Sequence, residues 1–560
     1  MTSADDIASR TTAALHALTF LHHPAFCPRP EHQQITVLRC RAAPGEPVST
    51  AFGLSTPAPV RGVELVASDL AGPAAYVPSA AVDIYIVKEW PQAGIGVHQS
   101  APRVVGELLL KDDRQPLRDR YRIGYRHWRQ VFRPARYYLP PDVRLKGPAV
   151  TDLDGAASKQ IWVSIRVPGD AKPGTYHGWI EVSSPAATVP AQRLTLELAV
   201  LPLALLEPEQ DLFLWFKGTL DPYEPQHYVP PAIFRAQLQD IFDHGFRSIS
   251  LNEYRRERLQ QAVDIASQVG FRRNLVLRPS AIRWMETVNF RDMRPLFYVS
   301  DEMDRRGPAA IAAHTAEWRA VKQRHGATMI SLMRHGFARR LRDQGDIGHP
   351  PDVVSYYLPE NLDYFRAHGA FPELRGIPTY YHWTSHMEKP NVHRVLAGFY
   401  LWRSRASGIA PYCYQHLPQY PSSPFNDFDA WDDAERVEKD EPAFKDHMTT
   451  YPGRSGPIPT VQWKGLSAGL YDLRYMTTLA AMLERVSRSA DRTSAHVVEG
   501  VRSRLGSLLN EINISTINIT SSDDQEPYSQ RDPSDYDRYR RAVADDILLL
   551  QDYGRTQTRT

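Results

Sequence analysis

Apolar and polar residues alternate one by one in several short runs within residues 1–205. The clearest runs are "AVDIYIVKEW", "KQIWVSIRVPGD", "GTYHGWIEVSS" and "RLTLELAVLPL", with Pro and Gly between them. A period of two that is rich in β-branched and aromatic residues predicts half-buried β-strands. Several such strands in series are typical of a β-sandwich. We therefore predict a β-sandwich-rich N-terminal region over 1–205, with a supporting rather than a catalytic role.

From Leu212 onward, short apolar runs alternate with longer segments of helical periodicity. The apolar runs are "LFLWFKG", "SISLNE", "NLVLRPS", "PLFYVSDEM", "ATMISLM", "DVVSYYLPE", "IPTYYHW" and "IAPYCYQH". Nearly all precede a helical pattern, which predicts a parallel sheet and matches a (β/α)8 barrel. We place the barrel at 206–490 and a short helical C-terminal extension at 491–560. A doubly wound open sheet competes with it, but no Gly-rich phosphate loop follows the first predicted strand.

Composition and charge narrow the range of partners. The chain has 66 Lys and Arg against 64 Asp and Glu, a balance that gives no electrostatic footprint for a nucleic acid. Its three cysteines form neither a disulfide framework nor a zinc spacing. No apolar run is long enough for a transmembrane helix, and we see no signal peptide. We expect no nucleic-acid or membrane partner, no metal, no cofactor, and a cytoplasmic protein or one that lacks its leader.

Two adjacent carboxylates, Asp301 and Glu302, end the fourth predicted barrel strand. Acids that cap the next helix would explain them simply. The active sites of such barrels, however, lie at the carboxyl ends of the strands. Glycoside hydrolysis needs one carboxylic acid to protonate the leaving oxygen and a second group to stabilise the positive charge that develops. We therefore take Asp301 and Glu302 as the candidate catalytic pair.

Other predicted strand ends carry aromatic and hydrogen-bonding residues suited to a sugar, which has apolar C–H faces and a girdle of hydroxyls. The candidate substrate-binding residues are Trp215, Arg278, Tyr298, Glu360, Tyr380, His382, Trp383, Tyr412 and Tyr414. Each alone is equally well explained by core packing or by a solvated loop. We expect Trp383 to stack on the sugar in the deepest subsite. Lys217, Glu253 and His416 also lie at strand ends and receive no assigned role.

Several segments resemble glycoside hydrolase family 123, the β-N-acetylgalactosaminidases and their relatives. "YVSDEM" is similar to the Asp-Glu motif of that family's fourth strand. The late block "YPGRSGPIPTVQWKGLSAGLYDLRYM", and the N-terminal "PGTYHGWIEV" and "LTLELAVLPLALLE", also resemble it. The resemblance implies a retaining, substrate-assisted β-N-acetylhexosaminidase. The 2-acetamido oxygen would be the nucleophile, Asp301 would orient the acetamido group, and Glu302 would be the general acid and then the general base.

The chain departs from the family pattern at a few positions. The family usually has Arg at Gln462, Glu at Lys464, Arg at Ser467, and Pro at Met303. We expect the changes in the late block to lie near the barrel mouth, where they would alter the sugar preference or abolish activity.

Two other readings remain open from the sequence. The first is a glycosidase of other specificity that uses Glu302 as the acid and a distant carboxylate, such as Glu360 or Glu388. The second is a non-catalytic sugar-binding protein on a hydrolase-like fold. All three imply an oligosaccharide or glycoconjugate partner. The sugar, its linkage, endo or exo action and the oligomeric state stay open.

Overall fold

The computed structural model describes residues 18–26, 31–73, 75–92, 103–125, 134–155, 157–185, 191–224, 227–333, 350–358, 361, 376–383, 390–416, 424–425, 448–488, 492–512 and 534–557. Glu360 and Glu388 lie outside them. The helical segments predicted after the fifth and sixth barrel strands also lie largely outside these ranges.

The N-terminal region is built from β-strands, as the alternating runs predict. The strands are β1 (Thr19–His22), β2 (Val37–Ala42), β3 (Pro47–Ser55), β4 (Val60–Ala67), β5 (Leu70–Ala71), β6 (Tyr76–Val77), β7 (Val82–Gln92), β8 (Arg103–Leu110), β9 (Arg120–Tyr125), β10 (Pro134–Leu139), β11 (Ala149–Leu153), β12 (Lys159–Arg166), β13 (Gly174–Ser183) and β14 (Gln192–Val200). One sheet has the order β1-β3-β12-β7-β8, a second has β11-β4-β13-β14-β2, and β9 pairs with β10. A short 3-10 turn spans Ser79–Ala81.

The two larger sheets share one hydrophobic cluster. Phe52, Ile86 and Ile161 come from the first sheet and Leu65 and Ile180 from the second, and all five are fully buried. Along β13, buried and more exposed positions alternate. This is the pattern expected of a strand with one face on a core. The alternation of apolar and polar residues in the sequence therefore indicates which face of each strand is apolar.

Eight parallel strands close into the predicted barrel. They are β15 (Asp211–Leu214), β16 (Ser248–Leu251), β17 (Asn274–Leu277), β18 (Arg294–Ser300), β19 (Ala327–Leu332), β20 (Val353–Tyr357), β21 (Thr379–His382) and β22 (Gly408–Ile409). The helices are α1 (Pro231–Asp243), α2 (Arg256–Val269), α3 (Pro308–Gln323), α4 (Pro390–Ala397), α5 (Phe399–Ser404), α6 (Val461–Ser487), α7 (Arg492–Glu511) and α8 (Ser534–Gln557). Short 3-10 turns span Pro279–Trp284 and Met303–Arg305. The barrel and the C-terminal helices are thus confirmed.

Alternation along each barrel strand decides which side chains can reach the interior. In β18, Leu296 and Tyr298 join the cluster inside the barrel, whereas Phe297 and Val299 join the cluster between the barrel and its helices. A register irregularity between Tyr298 and Ser300 interrupts the pairing of β18 with β19. Such irregularities are frequent next to active sites, because they re-aim the residues that follow.

A buried ionic network joins the N-terminal region, the barrel and the last helix. Arg394 of α4 donates to Asp472 of α6 at 2.8 Å, and Arg540 of α8 donates to the same carboxylate. Arg540 also donates to Glu46 at 2.8 Å, and Glu46 accepts a hydrogen bond from Tyr475 of α6 at 2.8 Å. Glu46 and Asp472 are fully buried, so each needs these compensating donors. Asp472 and Tyr475 of the late sequence block therefore hold the parts of the chain together.

Candidate active site

Asp301 and Glu302 follow directly after β18, at the carboxyl end of the barrel. The 3-10 turn Met303–Arg305 comes next, and Met303 is fully buried in the core. This buried methionine anchors the turn from below. The two carboxylates thus lie on the barrel face where such folds place their active sites.

Asp301 is held by neutral hydrogen-bond donors on the top layer of the barrel. The Tyr298 hydroxyl donates to Asp301 Oδ1 at 2.6 Å, and the Ser331 hydroxyl of β19 lies 3.2 Å from the same oxygen. The two hydroxyls are themselves 2.6 Å apart. The second oxygen, Oδ2, lies 3.7 Å from the Arg306 guanidinium, and 61% of the Asp301 side chain is exposed. One oxygen is thus fixed by the barrel, and the carboxylate stays accessible to a ligand.

Glu302 has a left-handed backbone, with φ 48° and ψ 49°. Its N–H donates to Ser331 Oγ at 2.9 Å, so Ser331 serves both residues of the pair. A residue with a side chain pays of order 1–3 kcal/mol for a sparsely populated backbone conformation, and such residues concentrate at active sites. The strained turn marks Glu302 as a functional candidate independently of its carboxyl group.

Burial raises the pKa of Glu302, and the neighbouring Asp301 carboxylate raises it further. Arg305 and Arg306 act in the opposite direction, and the Arg305 guanidinium lies 3.9 Å from Glu302 Oε2. The effect of burial on the pKa is larger than that of either arginine, because only 34% of the Glu302 side chain is exposed and the carboxyl is partly removed from water. Glu302 therefore keeps its proton to a higher pH than an ordinary glutamic acid, as a general acid must.

Five of the predicted substrate-binding residues lie at this end of the barrel. The rings of Trp215 and Tyr298 meet edge to face with centroids 4.7 Å apart, and both residues are partly exposed. The charge of Asp301 affects the pKa of both His382 and Tyr412, so these two side chains lie at the same end of the barrel as the carboxylate. Arg278 directly follows β17 and stacks over the Tyr254 ring at 3.8 Å.

His382 is held in its neutral form next to the acids. Its Nδ1 lies 2.9 Å from the Ser355 hydroxyl of β20. Burial lowers the pKa of His382 to about 4, although the Asp301 charge opposes this shift. His382 thus offers a neutral imidazole at the mouth of the barrel, suited to a hydrogen bond with a sugar hydroxyl.

Tyr380 does not belong to the substrate-binding set. Its ring packs inside the barrel, and its hydroxyl donates to Asp211 Oδ2 at 2.6 Å and accepts from Asn274 Nδ2 at 3.2 Å. Asp211 and Asn274 are the first residues of β15 and β17. Tyr380 therefore points to the end of the barrel opposite Asp301, which corrects the prediction.

Trp383 and Tyr414 are also corrected, because both face the helices outside the barrel. The Trp383 indole N–H donates to His393 Nδ1 of α4 at 2.9 Å, and Trp383 is 0% exposed. The Tyr414 hydroxyl donates to Asp240 Oδ2 of α1 at 2.8 Å, and its ring packs against Trp463. Neither ring can stack on a sugar in this structure.

We predict that Trp383→Ala lowers the free energy of unfolding by about 3–5 kcal/mol, because it leaves a cavity in the core and removes the hydrogen bond from the indole to His393. Denaturant titration measures this loss. The matched control is Trp179→Ala on β13, since Trp179 is 40% exposed and its removal should cost less than about 1 kcal/mol. A Trp383→Ala variant of normal stability that no longer binds glycans would restore the stacking role.

Other side chains complete the rim. Lys217 Nζ lies 5.0 Å from the Tyr412 ring, and the His416 ring lies 5.9 Å from the same tyrosine. His227 stacks on His416 with ring centroids 6.0 Å apart. Tyr254 directly follows Glu253 after β16, so its position near a strand end made it predictable from the sequence. His227 lies in a loop between β15 and α1, where no sequence pattern marks it.

Glu253 has a supporting place beneath this rim. It is buried and accepts hydrogen bonds from Thr219 Oγ1 at 2.8 Å and from the backbone N–H of Leu220 at 2.7 Å. Both donors belong to the loop after β15. Glu253 therefore fixes that loop from the end of the neighbouring strand.

The departures in the late block do not lie at the barrel mouth, which corrects that expectation. Gln462 is buried, and its Nε2 donates to Glu107 Oε1 of β8 at 2.6 Å. Lys464 Nζ donates to His244 Nε2 at 3.0 Å, and burial lowers the lysine pKa. Ser467 is buried on the same helix. The three residues lie between the barrel and the N-terminal sheets.

A cavity of about 1680 Å³ lies along this junction. Its lining includes Lys464, Ser467, Tyr85 and Arg166, but neither Asp301 nor Glu302. The cavity is therefore separate from the carboxylate pair. Among the described residues, no group of three His, Cys, Asp or Glu side chains is arranged to hold a metal ion. No described helix is both long enough and apolar enough to span a membrane.

No protein-family model matches the chain, and no curated protein matches it. Among solved structures, it is similar to a family 123 glycoside hydrolase from Clostridium perfringens, described in connection with glycolipid glycan hydrolysis. The TM-score is 0.62 and the identity 11%, over 98% of this chain and 100% of that one. At this identity the similarity shows the fold alone. A Bacteroides vulgatus protein provisionally assigned as a glycoside hydrolase aligns with 61% of this chain, at 10% identity and a TM-score of 0.25. We draw no conclusion from a similarity this low.

Proposed function

We propose that the chain is a glycoside hydrolase, and more specifically a retaining, substrate-assisted β-N-acetylhexosaminidase that acts on an oligosaccharide or glycoconjugate. The observation that carries the proposal is the tandem pair at the end of β18, with Asp301 held by Tyr298 and Ser331 and with the pKa of Glu302 raised. The similar fold of the Clostridium perfringens enzyme supports it, since that structure is described in terms of glycan hydrolysis. In this proposal 1–205 is a β-sandwich, 206–490 the catalytic barrel and 491–560 a helical extension.

The arrangement suits a mechanism in which the substrate supplies the nucleophile. The 2-acetamido oxygen attacks the anomeric carbon while the bond to the leaving oxygen breaks, and Glu302 gives its proton to that oxygen. Asp301 accepts a hydrogen bond from the acetamido N–H and stabilises the positive charge that forms on the oxazolinium-like ring. Glu302, now a carboxylate, then takes a proton from water as the water opens the ring. The anomeric configuration is retained after the two displacements.

Two adjacent residues favour this mechanism over a pair of conventional catalytic carboxylates. In the conventional retaining mechanism, a carboxylate nucleophile and an acid flank the sugar from opposite sides, about 5–5.5 Å apart. Here one oxygen of Asp301 is already engaged by two hydroxyls of the barrel. That engagement suits a residue that orients and stabilises, because it fixes the carboxylate while the exposed Oδ2 remains free to accept a hydrogen bond from the acetamido N–H.

The remaining rim residues would shape the sugar site. Trp215 and Tyr298 would form an aromatic floor, and His382, Tyr412 and Arg278 would provide hydrogen bonds around it. Glu360 keeps its proposed place in the substrate-binding set, outside the described residues. The proposal requires no metal and no cofactor.

A panel of 4-nitrophenyl β-glycosides tests the proposal. We expect hydrolysis of the N-acetylgalactosamine and N-acetylglucosamine glycosides, inhibition by a sugar-fused thiazoline, and no hydrolysis of the galactose and glucose glycosides. Hydrolysis of the 2-hydroxy sugars would favour a glycosidase with a distant carboxylate nucleophile. Glycan binding without any hydrolysis would favour a non-catalytic sugar-binding protein.

A further inference from the structure

Two cations at the barrel mouth have no acidic partner among the described residues. Lys217 follows β15 and Arg278 follows β17, and both are partly buried. Their contacts are aromatic: Lys217 Nζ lies 5.0 Å from the Tyr412 ring, and the Arg278 guanidinium lies 3.8 Å from the Tyr254 ring. No described carboxylate lies within ion-pair distance of either cation.

Other partly buried cations among the described residues have hydrogen-bond partners, whether carboxylates or, as at Arg273, the backbone oxygens of Pro208 and Gln210. Arg247 meets Glu207 at 3.0 Å, and Lys322 meets Asp352 at 2.5 Å. Partial removal of a cation from water costs free energy unless an opposite charge compensates it. Aromatic faces supply only part of this compensation. Among the described residues, the side chains of Lys217 and Arg278 have neither an acidic nor a hydrogen-bonding partner, so an anion from a ligand would supply the missing compensation.

The two cations act on one spot. Besides burial and His416, the positive charges of Lys217 and Arg278 both lower the pKa of His227, to about 4. Burial and Lys217 likewise lower the pKa of His416 to about 4. Both stacked imidazoles are therefore neutral at neutral pH, and each carries an N–H that can donate. Lys217, His416 and His227 are linked by ring contacts through Tyr412, and Arg278 lies at the end of β17 on the same rim. Two cations and two neutral donors at one rim are groups of the kind that bind oxyanions.

This group lies beside the acid pair. Tyr412 connects the two, because Lys217 packs over its ring and the Asp301 charge acts on its hydroxyl. An anionic substituent held by Lys217 and Arg278 would therefore lie on the sugar at the acid pair or on the sugar next to it.

We propose that Lys217 and Arg278 form a subsite for an anionic group of the glycan, a carboxylate or a sulfate ester, so that the substrate is an acidic rather than a neutral glycan. This inference rests on the proposed function and names the substrate class of the same site. A carboxylate of a uronic acid and a sulfate ester share the chemistry that the subsite recognises, which is a compact oxyanion with several acceptor oxygens. A neutral glycan would bring no opposite charge to either cation.

The experiment compares matched acidic and neutral substrates. The probes are 4-nitrophenyl β-N-acetylgalactosaminide, its 6-sulfate and 4-sulfate, and a disaccharide glycoside that adds glucuronic acid. We expect the wild-type kcat/KM for at least one acidic probe to exceed that of its neutral counterpart by about tenfold or more at low salt. Lys217→Met and Arg278→Met should each bring that ratio close to one. The acidic probe with the largest increase in kcat/KM over its neutral counterpart shows whether the subsite binds a sulfate ester or a uronic acid.

The matched control is Arg193→Met. Arg193 also packs over an aromatic ring, that of Trp179 at 4.6 Å, but on the N-terminal sheet, so the ratio of acidic to neutral rates should not change. A wild-type ratio at or below one on every probe would overturn the inference. A high ratio that survives both substitutions would overturn it as well.

Binding to the Glu302→Gln variant, measured by calorimetry with the same acidic and neutral sugars, separates this inference from the proposed function. Tight binding of acidic glycans without hydrolysis by the wild type would keep the subsite and remove the hydrolase. Hydrolysis of neutral sugars with no preference for acidic ones would keep the hydrolase and remove the subsite. No hydrolysis and no preferential binding would remove both.

Discussion

Glu302→Gln should lower the turnover of glycosides with unactivated leaving groups by roughly 10²–10⁴-fold. The amide keeps the size of the side chain but has no proton to give to the leaving oxygen. The defect in the first chemical step should be smaller with a 4-nitrophenyl leaving group, which departs without strong acid assistance. Rates on both substrate types, each normalised to wild type, measure this difference. Near-normal activity of the variant on a natural glycan would show that Glu302 is not the acid.

The pH profile should report the same residue. Burial and Asp301 raise the pKa of Glu302, so the protonated form persists to a higher pH than usual. Activity that needs this proton is present below the raised pKa and falls as the pH rises through it. The basic limb of kcat/KM should therefore be absent in Glu302→Gln, while the wild type retains it. A limb that persists unchanged in the variant would belong to another group.

Asp301→Asn should lower kcat/KM by about 10²-fold or more, because electrostatic stabilisation of this kind is commonly worth ~3 kcal/mol. The amide preserves the size of the side chain and part of its hydrogen bonding, but it removes the negative charge that balances the oxazolinium-like ring. It also removes a charge that raises the pKa of Glu302, so the basic limb should move to lower pH. Added azide should not rescue the variant, because the nucleophile belongs to the substrate.

Asp292→Asn is the matched control for this prediction. Asp292 lies just before the opposite end of β18, is exposed, and pairs with Arg272 at 3.3 Å, so its amide variant should keep wild-type activity. A mild Asp301→Asn phenotype beside an azide-rescued Glu360→Gln, with a glycosyl azide as product, would instead identify Glu360 as a carboxylate nucleophile.

The barrel was predictable because each strand and helix carries its own periodicity. The runs that begin "LFLWF" and "PLFYV" are apolar on both faces, as strands covered by helices outside and by side chains inside must be. Asp301 and Glu302 were predictable as a candidate pair for a related reason. A pair of acids at the end of an apolar strand must lie at the rim, whatever the details of packing.

The depth and direction of the aromatic side chains were not predictable. Tyr380, Tyr381, His382 and Trp383 follow one another, and alternation sends the first and third inward and the other two outward. The sequence does not indicate the phase of this alternation. Nor does it show that the Tyr380 hydroxyl reaches down to Asp211 while His382 stays near Asp301. Such differences depend on the tilt and stagger of the closed barrel.

Contacts between segments that are distant in sequence were equally unpredictable. Tyr414 is buried because α1 supplies Asp240 and α6 supplies Trp463. The late block resembles a functional motif, yet Gln462 and Lys464 contact Glu107 and His244 at the junction with the N-terminal sheets. No local pattern specifies such partners. Their positions follow from the packing of the whole chain.

The convergence at the anion subsite has the same origin. Lys217 and His227 come from the loop after β15, Arg278 from the one after β17 and His416 from the one after β22. Each is ordinary in its own segment. Their shared surroundings appear only when the barrel closes and brings β15, β17 and β22 to one rim.

The most direct test of the account is the response of kcat/KM to fluorination of the substrate's N-acyl group. Aryl β-glycosides whose 2-acetamido methyl carries none, one, two or three fluorines differ chiefly in the nucleophilicity of the acyl oxygen. If that oxygen attacks the anomeric carbon under the control of Asp301 and Glu302, kcat/KM should fall steeply with each added fluorine, as each lowers the nucleophilicity of the oxygen. Substrate assistance would be contradicted if kcat/KM did not change along the fluorinated series. It would also be contradicted if aryl glycosides of 2-hydroxy sugars were hydrolysed as fast as the 2-acetamido substrates.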